Sequence, residues 1–254
     1  MKNKFTIRKE IKTGLALVCL FFLIAFTERN QGGVLCTSVI VDLVNIGDNH
    51  FLDELDVIHI VESSDQKLKG SVLGRINFSA IEEKLKLDRH IRDAELYGDL
   101  KGNLIVRVEL RRPIARIVQS DGPDAYLSEE GVVMGVSEKF SSRVMILSGK
   151  YAKRLTEMAD LTKTEEGRNL LKMIEFIHAN SFWNAQIAQM DINSKGEITI
   201  YPQVTGQIVD FGTPENFEIK LRKLMVFYKE ILPQKGWTKY ERVNLKYEGQ
   251  VIAQ

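Results

Sequence analysis

The apolar positions of this chain change rhythm along its length, and each rhythm predicts a different element. Residues 13–26 (TGLALVCLFFLIAF) carry no charge; Lys2, Lys4, Arg8, Lys9 and Lys12 precede them, and Glu28 and Arg29 close the run. A helix over this run rises about 21 Å, short of the ~30 Å hydrocarbon core of a bilayer. Extending it to Ile11 and Thr27, with the Lys12 ammonium snorkelling to the headgroups, gives a marginal single span. A cleaved signal peptide has an equally short apolar region, but Ala25-Phe26-Thr27 is a poor small-x-small cleavage site. The basic flank keeps the N-terminus cytoplasmic under the positive-inside rule. The expectation is a cytoplasmic tail over 1–12, a transmembrane anchor over 13–27 and an exported remainder.

Beyond the anchor the pattern becomes that of folded α+β segments. Residues 34–45 are rich in β-branched side chains (Val39, Ile40, Val41, Val44) and predict a strand. After the Gly47-Asp48-Asn49 turn, residues 51–61 (FLDELDVIHIV) have helical spacing, and a second helix starts at Ser79, where Ser79-x-x-Glu82 reads as a capping box. In 104–110 (LIVRVEL), Leu104, Val106, Val108 and Leu110 share one face while Ile105, Arg107 and Glu109 share the other, the period of a half-buried strand. With 91–97 it makes a hairpin around residues 98–102, so the order over 34–112 is β-α-α-β-β. From Pro113 onward, short strands are expected near 114–118, 125–127, 132–134 and 144–147. A helix over 165–182, with Thr162-x-x-Glu165 as its capping box, turns Leu170, Leu171, Ile174, Ile177 and His178 inward. Strands 187–193 and 197–201 flank Ser194-Lys195-Gly196, and 207–212 is a further strand. Thr213 and Pro214 open a helix over 214–232 whose stripe is Phe217, Leu221, Leu224, Met225, Tyr228, Ile231 and Leu232. Residues 240–247 (YERVNLKY) alternate as a last strand. The fold class is α+β: a single N-terminal transmembrane helix, a β-α-α-β-β domain over 34–112, and a mixed or antiparallel β domain with two helices over 113–254.

Charge and chemistry then narrow the function. With 35 Lys+Arg against 34 Asp+Glu, the chain lacks the cation surplus that displaces counterions from nucleic acid. Two cysteines, Cys19 in the apolar run and Cys36 at a strand start, make no disulfide framework, and Cys36 reads as a small hydrophobe. His50, His59, His90 and His178 stand alone, and no H-E-x-x-H, G-x-S-x-G or phosphate-cradling loop is present. The acids Asp53, Glu54, Asp56, Glu82 and Glu83 fall on helix surfaces, where carboxylates are solvated rather than paired for catalysis. The sequence therefore predicts no catalytic centre, no metal and no cofactor.

The ordered set of elements resembles the FtsQ/DivIB family of bacterial cell-division proteins. The residues that carry the resemblance are a POTRA-like segment over 41–73 with Phe51-Leu52-Asp53 opening its first helix, Ile91-Arg92-Asp93-Ala94-Glu95-Leu96-Tyr97, the run VELRRPIA over 108–115, and YLSEEG over 126–131. The terminal Val243-Asn244-Leu245-Lys246-Tyr247 is similar to the family's last strand, with Asn244 and Lys246 standing where the family more often has Asp and Arg. The turn ELYGDLKG over 95–102 is most similar to the Bacteroidetes branch.

The resemblance implies a non-catalytic, bitopic inner-membrane scaffold at the division septum, with its folded domains periplasmic. It implies partners of the FtsB/FtsL (DivIC-like) type and a part in controlling septal peptidoglycan synthesis. The mode implied is strand addition at an open edge, here 240–247. Val243, Leu245 and Tyr247 would share one face of it, Lys246 and Tyr247 would meet the partner, and Arg222 and Lys223 would be nearby helix charges. Two other readings stay open: a POTRA-bearing transport or assembly protein, and a periplasmic hydrolase with an unrecognised site.

Overall fold

The computed structural model describes residues 14–23, 33–44, 47, 50–63, 68–204 and 206–254. Residues 14–23 form an exposed helix, α1, within the apolar run. No helix among the described residues is long and apolar enough to cross a membrane, and the flanks of the expected anchor, 1–13 and 24–32, lie outside the described residues. Beyond α1 the chain divides into two compact units. One takes the described residues up to Val44 with Asp53–Asp88 and Asp93–Glu109; the other takes those of Asn45–Leu52, Arg89–Arg92 and Leu110–Gln254.

In the first unit the β-branched run forms β1 (Ser38–Val44), parallel to β3 (Asn103–Leu110), with β2 (Ile91–Gly98) on the other side of β3. Val39 stands opposite Leu104 and Val41 opposite Val106. Leu104, Val106 and Val108 are fully buried and Arg107 faces solvent, as a two-residue period requires. Helix α2 (Glu54–Glu62) begins at Asp53 with a reciprocal cap: Asp53 accepts from the Asp56 N–H and Asp56 from the Asp53 N–H. Helix α3 (Phe78–Lys86) buries Ile81 and Leu85. Its cap is Asn77, which accepts the Ala80 N–H at 3.1 Å, rather than the expected Ser79. The Ser79–Glu82 box does not form; instead the Glu82 carboxylate accepts the Leu96 N–H of β2 at 2.7 Å. The β2–β3 turn is tied by Asp99, which accepts from the N–H groups of Asn103 and Lys101. Those bonds, Asn103's above all, hold the Asp99 carboxyl below its ordinary value.

The second unit is one mixed sheet covered by helices. Its strands are β4 (Pro113–Ile117), β5 (Ala125–Ser128), β6 (Val133–Gly135), β7 (Met145–Ser148), β8 (Ile187–Ile192), β9 (Ile198–Pro202), β10 (Ile208–Gly212), β11 (Arg242–Asn244) and β12 (Ile252–Ala253). They lie in the order β12-β11-β10-β9-β8-β7-β4-β5-β6. The pairs β7–β8 and β10–β11 are parallel, so each needs a crossover. The first crossover is α4 (Ala152–Met158), α5 (Glu165–Ala179) and α6 (Ser181–Gln186); the second is α7 (Phe217–Val226), a π turn over Phe227–Ile231, and α8 (Leu232–Lys235). Leu170, Met173, Ile174 and Ile177 of α5 join Leu221 and Leu224 of α7 in one core with Met190, Ile200, Val209 and Phe211 of the sheet. β5 is buried on both faces: Ala125 and Leu127 enter this core, while Tyr126 joins a smaller cluster with Phe51, Met134 and Phe140.

Three expected helix boundaries change. Thr164, not Thr162, caps α5 by accepting the Gly167 N–H, because Thr162 is drawn back onto Asp160. The expected 165–182 helix breaks at Asn180, which caps α6 with its own side chain. The expected cap Thr213 bonds Glu215 instead, and the helix starts at Phe217. A π turn then shifts the helical register. Phe227, absent from the expected stripe, is buried, and Ile231 is turned toward solvent. Helix α4 was not expected; its inward residues Ala152 and Leu155 make a signal too short to read.

An open sheet has two edges, and the edge at β6 is sealed. The Val133 N–H donates to the Ala159 carbonyl at 2.9 Å, and the Val133 carbonyl accepts from the Arg89 guanidinium at 3.1 Å. The Gly135 carbonyl lies 3.0 Å from His90 Nε2, where only a ring N–H makes the bond. Ala159 holds φ at +60°, a left-handed conformation costing an L-residue about 1 kcal/mol or more, and its carbonyl is one of the three seals. Replacing Arg89 and His90 together by alanine is expected to make the chain self-associate in light scattering at concentrations where the parent does not. A double variant as monodisperse as the parent contradicts the sealing role. In the first unit, Leu104→Ala is expected to cost about 2–5 kcal/mol of stability by denaturant melting, since the side chain is wholly buried.

Candidate functional site

The other edge is built differently. β12 pairs antiparallel with β11, Val243 opposite Ala253 and Asn244 opposite Ile252, and among the described residues no strand adjoins its far side. Arg242 and Gln254 exchange N–H···O bonds of 3.2 and 2.9 Å. Antiparallel pairs alternate between bonded and unbonded positions, so Ile252 and Gln254 turn their backbone groups toward β11. Val251 and Ala253 consequently turn theirs outward.

This corrects the expectation that 240–247 is the edge strand. β11 runs between β10 and β12, parallel to the former, with Val209 opposite Val243. Val243 and Leu245 are 0% and 1% exposed and belong to the main core, so neither side chain lies on the surface where a partner was expected. The alternation in YERVNLKY is that of a strand with its apolar face in the core. The outermost strand comes after a further turn at Gly249, whose φ is +76°. The signal was present as a turn-forming Glu248-Gly249-Gln250 before an apolar Val251-Ile252, but two strand residues are too few to show a period.

The remaining expected residues gather, in part, around one groove of about 260 Å³ between α7 and residues 245–248. Lys223, Leu245, Lys246 and Tyr247 line it, together with Ile219 and Lys220, which the sequence reading missed. Arg222 is exposed on α7 and does not line it. Tyr247 is 54% and Ile219 53% exposed, so the groove has apolar rims. Lys223 Nζ donates to the Tyr247 carbonyl at 3.3 Å, and Lys246 Nζ lies 3.1 Å from the Glu197 carboxylate. Beneath them Gly212 has φ +80°, and a Cβ there would stand 3.2 Å from Lys246 Cγ, so glycine suits both the conformation and the space. Lys220 Nζ donates to the Thr213 carbonyl at 2.8 Å and stands 5.1 Å over the Phe211 ring. Burial lowers its pKa.

A hollow of about 290 Å³ beside the start of α5 holds Tyr151 and Arg154, both donating to Glu166 at 2.8 Å. Cys36 is 1% exposed and burial pushes its thiol pKa up, the condition of an unreactive cysteine. Among the described residues no three His, Cys, Asp or Glu side chains converge as metal ligands.

Residues 112–254 match the family model described as FtsQ/DivIB, C-terminal related, and residues 34–109 match the POTRA-like domain. The chain belongs to the FtsQ/DivIB family. No curated protein matches it. The two matches make it a POTRA-containing cell-division protein, built from domains that are typically non-catalytic scaffolds. In this FtsQ/DivIB chain the expected edge moves outward by one strand, and the expected cations divide between a groove and a helix surface.

The Lys246–Glu197 contact has a sign that can be checked. The Asn193 amide first, and Lys246 second, hold the Glu197 carboxyl below its ordinary value. A depressed carboxylate adds stability above its unfolded-state pKa, and that contribution fades as pH falls through the folded value. Lys246→Met is therefore expected to raise the Glu197 midpoint in a carboxyl-carbon NMR titration; an unchanged midpoint means that the pair exerts no pull in solution.

Proposed function

We propose that this FtsQ/DivIB protein is a single-pass membrane scaffold, its N-terminus cytoplasmic and its two folded units periplasmic at the division septum. The β12 edge takes up a strand from an FtsB/FtsL-type (DivIC-like) partner, and through that contact the protein helps control septal peptidoglycan synthesis. The observation that supports this reading is the contrast between the two edges. At β6 the outward Val133 N–H and the carbonyls of Val133 and Gly135 are all taken, whereas Val251 and Ala253 beside β12 face outward with no strand among the described residues on that side. An unpaired edge is a hazard that proteins suppress unless pairing is its purpose, and a short edge limits the hazard. The work is done by backbone groups and needs no reactive side chain. The apolar run over 13–27 supplies the anchor in this reading, with Lys2, Lys4, Arg8, Lys9 and Lys12 holding the tail inside.

The test is Ala253→Pro in the full-length protein, titrated against the co-expressed FtsL/DivIC-type pair of the same genome. Proline removes an outward N–H and leaves the inward bonds of Ile252 and Gln254 untouched, so the fold is expected to survive. Partner affinity is expected to fall about tenfold or more, the loss of one hydrogen bond plus a clash with the incoming strand. Undiminished binding by a folded Ala253→Pro protein overturns strand addition at β12.

A further inference from the structure

The three-stranded sheet of the first unit has two edges of its own, and they too are unlike. The Asp99 N–H donates to the Asn103 carbonyl, so the odd-numbered residues of β3 turn their backbone groups toward β2 and the even-numbered ones toward β1. In the register that sets Ile40 beside Ile105, Ser38, Ile40, Asp42 and Val44 then bond β3. Val39, Val41 and Leu43 turn their N–H and C=O groups away from it. At the β2 edge carboxylates occupy the outward N–H groups: Glu82 takes that of Leu96 at 2.7 Å, and Asp93 takes that of Ala94 at 2.9 Å. At the β1 edge no such cap stands among the described residues, and no strand adjoins it. β1 is seven residues long and mostly aliphatic, with Val39, Val41 and Leu43 half-buried and Ile40 47% exposed. An edge of that length and composition pairs with another chain unless it is blocked.

We infer that this edge joins a second copy of the chain, β1 against β1 in antiparallel pairing about a two-fold axis at Ile40. Outward backbone groups must meet outward groups, which limits the registers. Centring on Ile40 pairs Val39 with Val41 twice, sets Ile40 against its own copy, and puts each Asp42 opposite Ser38. The neighbouring registers are worse. Centring on Val41 sets Ile40 against Asp42, and centring on Asp42 sets two carboxylates against each other. Centring on Val39 calls on Thr37, whose N–H already bonds the Gly102 carbonyl. The assembly also closes. It doubles the sheet and leaves β2 at both ends, where the carboxylate caps stop further pairing, so the product is a dimer rather than a fibre. Tethering favours a like copy over an unlike strand. In the single-pass reading proposed above, the ten residues 28–37 separate the apolar run from β1 and reach about 33–36 Å when extended. Two copies in one membrane thereby bring their edges together at high local concentration. That point rests on the proposed anchor; the inference needs nothing from docking at β12.

The experiment places one reporter cysteine in the full-length protein, in a Cys19→Ser background, and oxidises the membrane and soluble cell fractions with copper phenanthroline. Cys36 stays as the buried, unreactive thiol it is. Unbonded antiparallel positions hold their Cα atoms about 4.5 Å apart, within disulfide reach, so Ile40→Cys is expected to give covalent dimer. Residue 42 lies roughly 14 Å from its own copy in this register, so Asp42→Cys is expected to give about tenfold less. Adding Val41→Pro to Ile40→Cys removes an outward N–H, leaves the bonds from β1 to β3 intact, and is expected to abolish the cross-link. Circular dichroism melting checks that this variant is folded. Absence of dimer at position 40 overturns the inference and leaves the edge to a strand of an unlike chain. Equal yields at 40 and 42 overturn it as well, and so does a folded Val41→Pro protein that cross-links as its parent does. Fractionation reads the anchor separately. Soluble protein that still cross-links at 40 keeps the pairing and removes the anchor, while membrane-bound protein that does not cross-link removes the pairing alone.

Discussion

The arrangement of this molecule depends on one constraint: a strand at the end of an open sheet carries N–H and C=O groups that need partners. The second unit resolves it in two ways. At β6 the chain spends side chains and one strained backbone carbonyl on the problem, drawing in Arg89, His90 and Ala159. At β12 it leaves the groups facing outward and keeps the strand to two residues. The asymmetry is the physical content of the binding proposal.

What fixes the open edge in place is the crossover before it. β10 and β11 are parallel, so the chain returns through α7, the π turn and α8 before entering β11. The core anchors of that return, Leu221, Leu224, Phe227, Tyr228 and Leu232, hold the helix over the sheet. The consequence is that α7 stands beside residues 245–248, with the groove between them. The open edge at β12 and the groove beside α7 are thus products of the same topology.

Most of the architecture was legible because its signals are periodic. The alternation of LIVRVEL gave β3 and its buried face, and the spacing of Leu170, Leu171, Ile174 and Ile177 gave the inward side of α5. The failures have a common cause in competition for polar side chains. Ser79, Thr162 and Thr213 each sit where a cap is plausible, but in the fold Glu82 bonds β2, Thr162 bonds Asp160 and Thr213 bonds Glu215. No local pattern records those partners. The edge was misplaced for a related reason: Val243 and Leu245 alternate correctly, yet alternation says which face is buried and nothing about what lies beside the strand. Lys220 was missed because a lysine on an amphipathic helix looks like any surface charge until the ring of Phe211 is found beneath it.

Amide hydrogen exchange measures the central claim most directly, because it reads the backbone groups themselves. With the full-length protein mixed with the FtsL/DivIC-type pair proposed as its partner, the Val251 and Ala253 amides are predicted to become strongly protected, while the Val133 amide, already bonded to Ala159, is unchanged. Protection that falls on another segment, with Val251 and Ala253 exchanging as fast as in the free protein, would contradict the account.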